Sequence, residues 1–65
     1  MEFKITMAAA RVNKGYNQTE AAKKIGVSLS TIKNWEKGHT SPAIKHIDKI
    51  CEVYEIPYNN IFFDV

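Results

Sequence analysis

Three glycines divide the first part of the chain into runs that are long enough only for short helices. A helix ends readily at glycine, because glycine adopts a positive φ without steric cost. These helix-ending residues are Gly15, Gly26 and Gly38. The residues placed to cap the runs before them are Thr6, Asn17 and Ser28. Such side chains accept a hydrogen bond from a free N–H of the first turn, so the pattern predicts three helices of two to three turns.

The remaining sequence predicts a fourth, longer helix and a short fifth one. Ser41 followed by Pro42 is a good cap and first turn, and Pro57 ends that run. The predicted helices cover residues of about 7–14, 18–25, 29–37, 42–55 and 58–62. The stretch EFKI alternates, and IFFDV is β-prone but also fits a helical turn. We predict an all-α fold, a compact bundle of four to five short helices, with short extended segments allowed at both termini.

Length and composition exclude several functions. Sixty-five residues allow one domain, 1–65, with a small core and little space for a catalytic cavity. No apolar run approaches the ~20 residues that span a bilayer, and the start lacks the pattern of a secretory signal. Cys51 is the single cysteine and cannot form an internal disulfide, which favours a reducing, cytoplasmic location. One cysteine and two histidines are also too few, in this spacing, to build a zinc site. No catalytic cluster is visible, so we expect neither enzyme activity nor a cofactor.

Helical periodicity separates core positions from surface positions. On the fourth helix one apolar face is predicted to contain Ile44, Ile47, Ile50, Cys51 and Tyr54. His46 lies off that face and is predicted to be solvated. The second helix places Ala21, Ala22 and Ile25 on one side, and the two alanines allow a neighbouring helix to approach closely.

The third helix, residues 29–37, has an apolar side and a polar side. At about 100° per residue, Ile32 and Trp35 point toward the core, and Leu29 lies at the border. The opposite side carries Ser30, Lys33, Asn34 and Lys37. Hydroxyl, ammonium and amide groups suit base edges and phosphates, and a solvated helix face is the alternative. Residues 4–37 also carry seven basic side chains against two glutamates, an excess that indicates a polyanionic partner.

The stretch NQTEAAKKIGVSLSTIKNWEKG resembles the helix-turn-helix of the phage-repressor/Cro-like (Xre-type) DNA-binding family. Within this stretch the matching positions are Gln18, Ala22, Ile25-Gly26-Val27, Ile32, Trp35 and Glu36. The flanking segments match as well, through Arg11 four residues before Gly15 and through the closing EIPYNNIF. The resemblance covers roughly residues 6–63. Ala21 departs from it, since the family usually has leucine there, and the loop HTSPA lacks a basic residue often found near phosphates.

The resemblance implies a sequence-specific regulator of transcription, repressor-like, from a prokaryotic phage or mobile element. One implied partner is double-stranded DNA, with residues 29–37 in the major groove. The other is a second copy of the chain, which would pair weakly in solution and more strongly on a palindromic operator. No membrane and no small-molecule substrate are implied. The alternative is a protein-interaction module that reuses the fold, antitoxin- or antirepressor-like. The operator, the direction of regulation, and whether the chain is a full protein or the head of a longer repressor stay open.

The resemblance also assigns roles to individual residues. Base contacts would come from Leu29, Ser30, Lys33 and Asn34. Phosphate contacts would come from Asn17, Gln18, Ser28, Lys37, Gly38 and His39. Arg11 and Glu36 would form a structural ion pair between the first and third helices. The competing interpretations are a core role for Leu29, an ordinary helix start for Gln18 and plain exposure for His39.

Overall fold

The computed structural model describes residues 3–63, and the ends of the predicted domain, Met1, Glu2, Asp64 and Val65, lie outside this range. In chain order the elements are β1 (Ile5–Thr6), α1 (Met7–Asn13), α2 (Gln18–Ile25), α3 (Leu29–Lys37), α4 (Ile44–Tyr54), a 3-10 turn (Tyr58–Asn60) and β2 (Ile61–Phe62). The predicted helical bundle with extended terminal segments is confirmed. Among the described residues, no helix combines the length and the hydrophobicity needed to cross a membrane.

The first three helices begin at the predicted caps. Thr6 and Ser28 each accept, through the hydroxyl oxygen, the N–H three residues later, at 3.0 and 3.2 Å. Asn17 and Glu20 form a reciprocal capping box, with hydrogen bonds of 2.8 and 2.9 Å. Gly26 ends α2 with φ of 91°, a conformation that side chains with a Cβ rarely adopt. The capping box and Gly26 therefore account for where α2 begins and ends.

The start of α4 differs from the prediction. The helix begins at Ile44, two residues later than expected, and its N-cap is Ala43, which has no side chain able to cap. Ser41, the predicted cap, instead donates its hydroxyl to the carbonyl oxygen of Phe63 at 3.3 Å. Ile44, the first residue of the helix, is 81% exposed, so its predicted place in the core is wrong. A contact with the far end of the chain replaces the local cap.

Ala43→Ser should stabilise the protein, because it supplies the missing cap. Ala43 already has the extended backbone of a capping residue, with φ of −70° and ψ of 160°. A serine hydroxyl there can accept an unpaired N–H of the first turn, which is worth about 0.5–1 kcal/mol. Chemical denaturation should show a higher midpoint with an unchanged slope. Thr6→Ala, which removes an existing cap, is the matched control and should lower the midpoint; an unchanged or lower midpoint for Ala43→Ser would contradict the prediction.

The two terminal segments pair with each other. β1 and β2 run parallel, with Ile5 opposite Ile61 and Thr6 opposite Phe62. Asn60 adds a hydrogen bond from its side-chain amide to the carbonyl oxygen of Phe3, at 2.8 Å. The predicted fifth helix over residues 58–62 is therefore wrong in its second half, where a strand follows the 3-10 turn. The extended alternative, and not a helical turn, describes Ile61 and Phe62.

The core lies between all four helices and the small sheet. Its buried members are Met7, Ala10, Ala21, Ala22, Ile25, Ile32, Trp35, Ile50, Tyr54 and Ile61. Ala21 is fully covered, so the short side chain there is matched by close approach of the neighbouring elements. His46 is not solvated as predicted: its ring lies 5.4 Å from the Trp35 ring, between centroids, and the residue is half-buried. The histidine thus belongs to the packing of α4 against α3.

Candidate nucleic-acid interface

α3 is anchored on one side and open on the other. Ile32 and Trp35 are 1% and 6% exposed and hold the helix to the core. We call the opposite side the outer face of α3; its residues, all exposed, are Ser30, Lys33, Asn34 and Lys37. Leu29 lies at the edge of this face with 38% of its surface exposed. The outer face therefore offers hydrogen-bonding and cationic groups, bordered by one apolar side chain.

Ser28 marks the N-terminal end of α3 and is occupied mainly by capping. Its hydroxyl oxygen accepts the backbone N–H of Thr31 and lies 2.9 Å from the Thr31 hydroxyl and 3.4 Å from that of Ser30. All three residues lie at the start of the helix, where N–H groups lack partners within the helix and the helix dipole is positive. This end of α3 is thus rich in donors that an anion can use.

The start of α2 adds two more candidate residues, Asn17 and Gln18. Asn17 is exposed and uses its carboxamide oxygen for the cap. Gln18 donates one side-chain N–H to Glu36 Oε1 at 3.0 Å. An amide nitrogen carries two N–H groups, so one stays available for an outside acceptor. The first turn of α2 also presents backbone N–H groups to any anion bound there.

A polar bridge ties the three helices together beneath this surface. Arg11 on α1 donates through Nε to Glu36 Oε2 at 2.8 Å and through Nη2 to Oε1 at 3.2 Å. Its Nη1 donates to the carbonyl oxygen of Tyr16 at 2.9 Å. With Gln18 on α2, these residues form what we call the Arg11–Glu36–Gln18 bridge. The family resemblance implied the ion pair, but sequence reasoning missed Gln18 as its third member.

The bridge is largely shielded from water. The side chains of Arg11 and Glu36 are 13% and 9% exposed. The hydrogen bond with Glu36, partly opposed by desolvation, raises the pKa of the Arg11 guanidinium. Beside the pair, burial raises the pKa of the Tyr54 phenol to about 12, and the Glu36 carboxylate adds to this shift. Tyr54 is therefore neutral at physiological pH. It adds no charge to the bridge, in which the Arg11 guanidinium and the Glu36 carboxylate neutralise each other.

The C-terminal end of α3 has fewer free donors than its sequence suggests. The N–H of Gly38 donates to the carbonyl oxygen of Trp35 at 3.2 Å, and that of His39 donates to Asn34 at 2.9 Å. Gly38 adopts φ of 79° to make this cap. The N–H of Gly38 thus takes part in the helix cap. The exposed side chains of Lys37 and His39 are the groups left for a phosphate.

Charge is distributed unevenly over the surface. The exposed lysines of α2 and α3 are Lys23, Lys24, Lys33 and Lys37. The two carboxylates near them are already engaged, Glu20 in the capping box and Glu36 in the bridge. The acidic residues Asp48, Glu52 and Glu55 lie on or just after α4, which also carries two exposed lysines, Lys45 and Lys49. The surface formed by α2 and α3 is therefore positively charged. Among residues 3–63, no three His, Cys, Asp or Glu side chains lie close enough together to hold a metal ion.

Comparison with known proteins agrees with this geometry. A model of the helix-turn-helix family matches residues 7–59. The cryptic phage CTXphi transcriptional repressor RstR of Vibrio cholerae is 35% identical over 54 residues, which cover 83% of this chain and 49% of the repressor. The chain thus spans about half the length of that curated relative. No solved structure matches. The chain belongs to the helix-turn-helix family, in its phage-repressor/Cro-like branch.

Proposed function

We propose that this protein regulates transcription by binding double-stranded DNA at a specific sequence, with α3 in the major groove. One observation carries the proposal: α3 is fixed from behind by buried Ile32 and Trp35, while its outer face carries no acidic group. A short helix held in this way fits the width of the major groove. The similarity to a phage transcriptional repressor supports the same function.

The outer face supplies the proposed base contacts. Lys33 donates to O6 or N7 of a guanine, and Asn34 pairs with the edge of an adenine. Ser30 can donate or accept, and Leu29, exposed enough to touch a base, meets a thymine methyl group. Exposure of all four side chains supports these roles.

Residues at both ends of the α2–α3 unit supply the proposed phosphate contacts. They are Asn17, Gln18, Ser28, Lys37 and His39, whose polar groups are exposed or keep a free donor. Gly38, whose N–H also serves the α3 cap, is proposed to approach the same phosphates as its neighbours Lys37 and His39. Such contacts fix the protein on the duplex without reading sequence. Binding should therefore weaken steeply as salt rises.

We further propose that two copies bind a palindromic operator, weakly associated in solution and more strongly on DNA. One helix of three turns reads few base pairs, and two helices about one DNA turn (~34 Å) apart double the recognised sequence. Selection of bound duplexes from a random pool tests the whole proposal. We expect enrichment of a site with two-fold symmetry and half-sites about one turn apart. A pool that stays random after repeated rounds at low salt would refute it.

A second candidate function is a protein-interaction module, antitoxin- or antirepressor-like. The exposed apolar side chains favour it, since Phe3, Tyr58 and Phe62 are 63%, 60% and 48% exposed. A module of this kind needs no affinity for DNA. Failure to shift any duplex at low salt, together with a correctly folded protein, would favour this function over the first.

Asn34→Ala should reduce affinity for the selected site by about 1–3 kcal/mol, because a bidentate contact to one base is lost. Affinity for random duplex should hardly change, since phosphate contacts persist. Lys23→Ala is the matched control: this exposed lysine lies on α2 outside the outer face, and its loss should weaken binding to both duplexes equally. Fluorescence anisotropy measures both. Equal losses on the two duplexes for Asn34→Ala would exclude it as a base reader.

A further inference from the structure

Among the described residues, Leu29 is the one large apolar side chain exposed on the two helices of the candidate nucleic-acid interface. It is the first residue of α3, and 38% of its surface is exposed. In a helix-turn-helix, the N-terminal residues of the recognition helix, here α3, contact base edges. Leu29 is therefore placed where a base is expected. Within residues 3–63, the other large exposed hydrophobic residues all lie outside α2 and α3: Phe3, Val12, Ile44, Tyr58 and Phe62.

The polar groups around Leu29 do not demand one particular base. Ser28 Oγ accepts the N–H of Thr31 at 3.2 Å and lies 2.9 Å from the Thr31 hydroxyl, so the capping residue is engaged within the protein. Ser30 lies 3.4 Å from the Ser28 hydroxyl, at the edge of this cluster, and is exposed. A serine hydroxyl both donates and accepts hydrogen bonds, so Ser30 suits a donor on a base as well as an acceptor. The first turn of α3 thus has an apolar group that is selective and a hydroxyl that is not.

The base edges in the major groove offer an exposed leucine only one kind of apolar group. Purines and cytosine present hydrogen-bond donors and acceptors there, and thymine adds the methyl group on C5. Cytosine acquires the same methyl group, on the same carbon, when DNA is methylated at C5. The two methylated pyrimidines differ in the neighbouring polar group, which is the O4 acceptor in thymine and the N4 amino donor in 5-methylcytosine. The Ser30 hydroxyl suits either.

We infer that the first turn of α3 recognises the C5-methyl group of a pyrimidine, in 5-methylcytosine as well as in thymine, with Leu29 as the specificity-determining residue. The inference rests on the proposed function and deepens it, because the recognised feature becomes the methyl group and not the base that carries it. An operator with cytosine at this position then binds more tightly after methylation at C5. Modification of the DNA therefore regulates binding without a change in base sequence.

The position of Leu29 favours a contact of defined geometry. It lies about one turn before Ile32, which is 1% exposed and holds that side of α3 in the core. More than half of the Leu29 surface is already covered by the protein, so its side chain loses less rotamer freedom on binding than a fully exposed one would. Burying a group the size of one CH₂ changes affinity by about fourfold. We expect an effect of that size for each methyl group contacted.

The experiment uses the duplex selected from the random pool and changes one methyl group at a time. Each thymine of the site is replaced by uracil, which removes only the C5-methyl group, and fluorescence anisotropy gives the affinity of the wild-type protein. We expect one position in each half-site to lose about fourfold. At that position, a cytosine–guanine pair is then compared with its 5-methylcytosine form. Methylation should raise affinity by about fourfold, the same factor that separates thymine from uracil.

Variants of Leu29 show whether this residue carries the effect. Leu29→Ala should bind the thymine and uracil duplexes equally, and likewise the methylated and unmethylated cytosine duplexes. Leu29→Met keeps an apolar side chain of similar volume and should retain the wild-type ratios. Val12→Ala is the control, because Val12 is exposed on α1, and it should also retain them. Effects of the methyl group on DNA itself are common to all these proteins, so a difference between the ratios reports on Leu29.

Several outcomes would overturn the inference. It fails if uracil binds as tightly as thymine at every position, or if Leu29→Ala keeps the wild-type ratios. It also fails if the methyl group of thymine raises affinity and that of 5-methylcytosine does not, because the base would then be the recognised feature. Circular dichroism checks the fold of Leu29→Ala. If that variant unfolds, Leu29→Gln, which keeps the length of the side chain and ends it in an amide, decides in its place.

Failure of the proposed function looks different from failure of this inference. If the wild-type protein selects and binds no duplex, the proposed function is wrong and the inference falls with it. If the protein binds the selected site with the same affinity whether or not the methyl groups are present, only the inference is wrong.

Discussion

Trp35→Ala should unfold the protein at room temperature and abolish the proposed DNA binding with it. The Trp35 ring is 6% exposed, belongs to the core with Ile25 and Ile32, and packs against His46 of α4. Replacing a buried tryptophan by alanine costs ~3–5 kcal/mol. A domain this small has a total stability of about 5 kcal/mol or less. Far-ultraviolet circular dichroism of the free variant should therefore show the helical signal largely lost.

Trp35→Phe is the control that separates packing from a direct role at DNA. Phenylalanine keeps most of the ring volume, so the variant should stay folded and keep the proposed DNA binding nearly unchanged. A ring that stacks on bases would behave differently, as aromatic residues do with single strands. Trp35→Ala would then keep a native spectrum and lose only affinity. That result would contradict the role that burial assigns to this residue.

Glu36→Ala should also destabilise the protein strongly. It leaves the Arg11 guanidinium, 13% exposed in its side chain, without its anion, and it removes the acceptor of the Gln18 amide. Breaking a buried pair in this way costs ~3–5 kcal/mol. Because both side chains keep some exposure to water, we expect the loss of unfolding free energy to lie toward the lower end of that range. Thermal unfolding should show a large drop in Tm.

Glu20→Ala provides the comparison for that loss. Glu20 is also a glutamate with a defined hydrogen bond, the reciprocal half of the α2 capping box, but it is exposed. Loss of a cap contact costs about 1 kcal/mol, so its Tm should fall much less. Similar shifts in the two variants would mean that solvent screens Glu36 more than its burial indicates. Comparing Glu36→Ala with Glu20→Ala thus separates the effect of burying a carboxylate from the effect of removing one.

The elements that the sequence predicts well are those whose ends are determined within a few residues. Thr6, Asn17 and Ser28 cap the N–H groups of their own first turns, and Gly26 and Gly38 turn the chain where α2 and α3 end. The helical period then gives the outer face of α3 directly, because Ile32 and Trp35 cannot point inward without turning Lys33 and Asn34 outward. No distant contact is needed for either inference.

The predictions that failed depend on residues far apart in the chain. Ser41 looks like a cap, but its hydroxyl binds the carbonyl of Phe63, and α4 starts later, with its first residue Ile44 exposed. The segment at 61–62 is a strand because β1 lies beside it. At the candidate site, the Gln18–Glu36 hydrogen bond joins different helices and has no local signal.

The parallel pairing of β1 with β2 has a consequence for the order in which the protein folds. Ile5 cannot meet Ile61 until the residues between them, 6–60, have been brought around to close the loop. Closing so long a loop costs entropy before any contact repays it, whereas α2 and α3 are neighbours in sequence and collapse early. During folding, α2 and α3 should therefore pack together before the first strand finds its partner. We expect the sheet to form after the rate-limiting step, with φ-values near zero at Ile5 and Ile61.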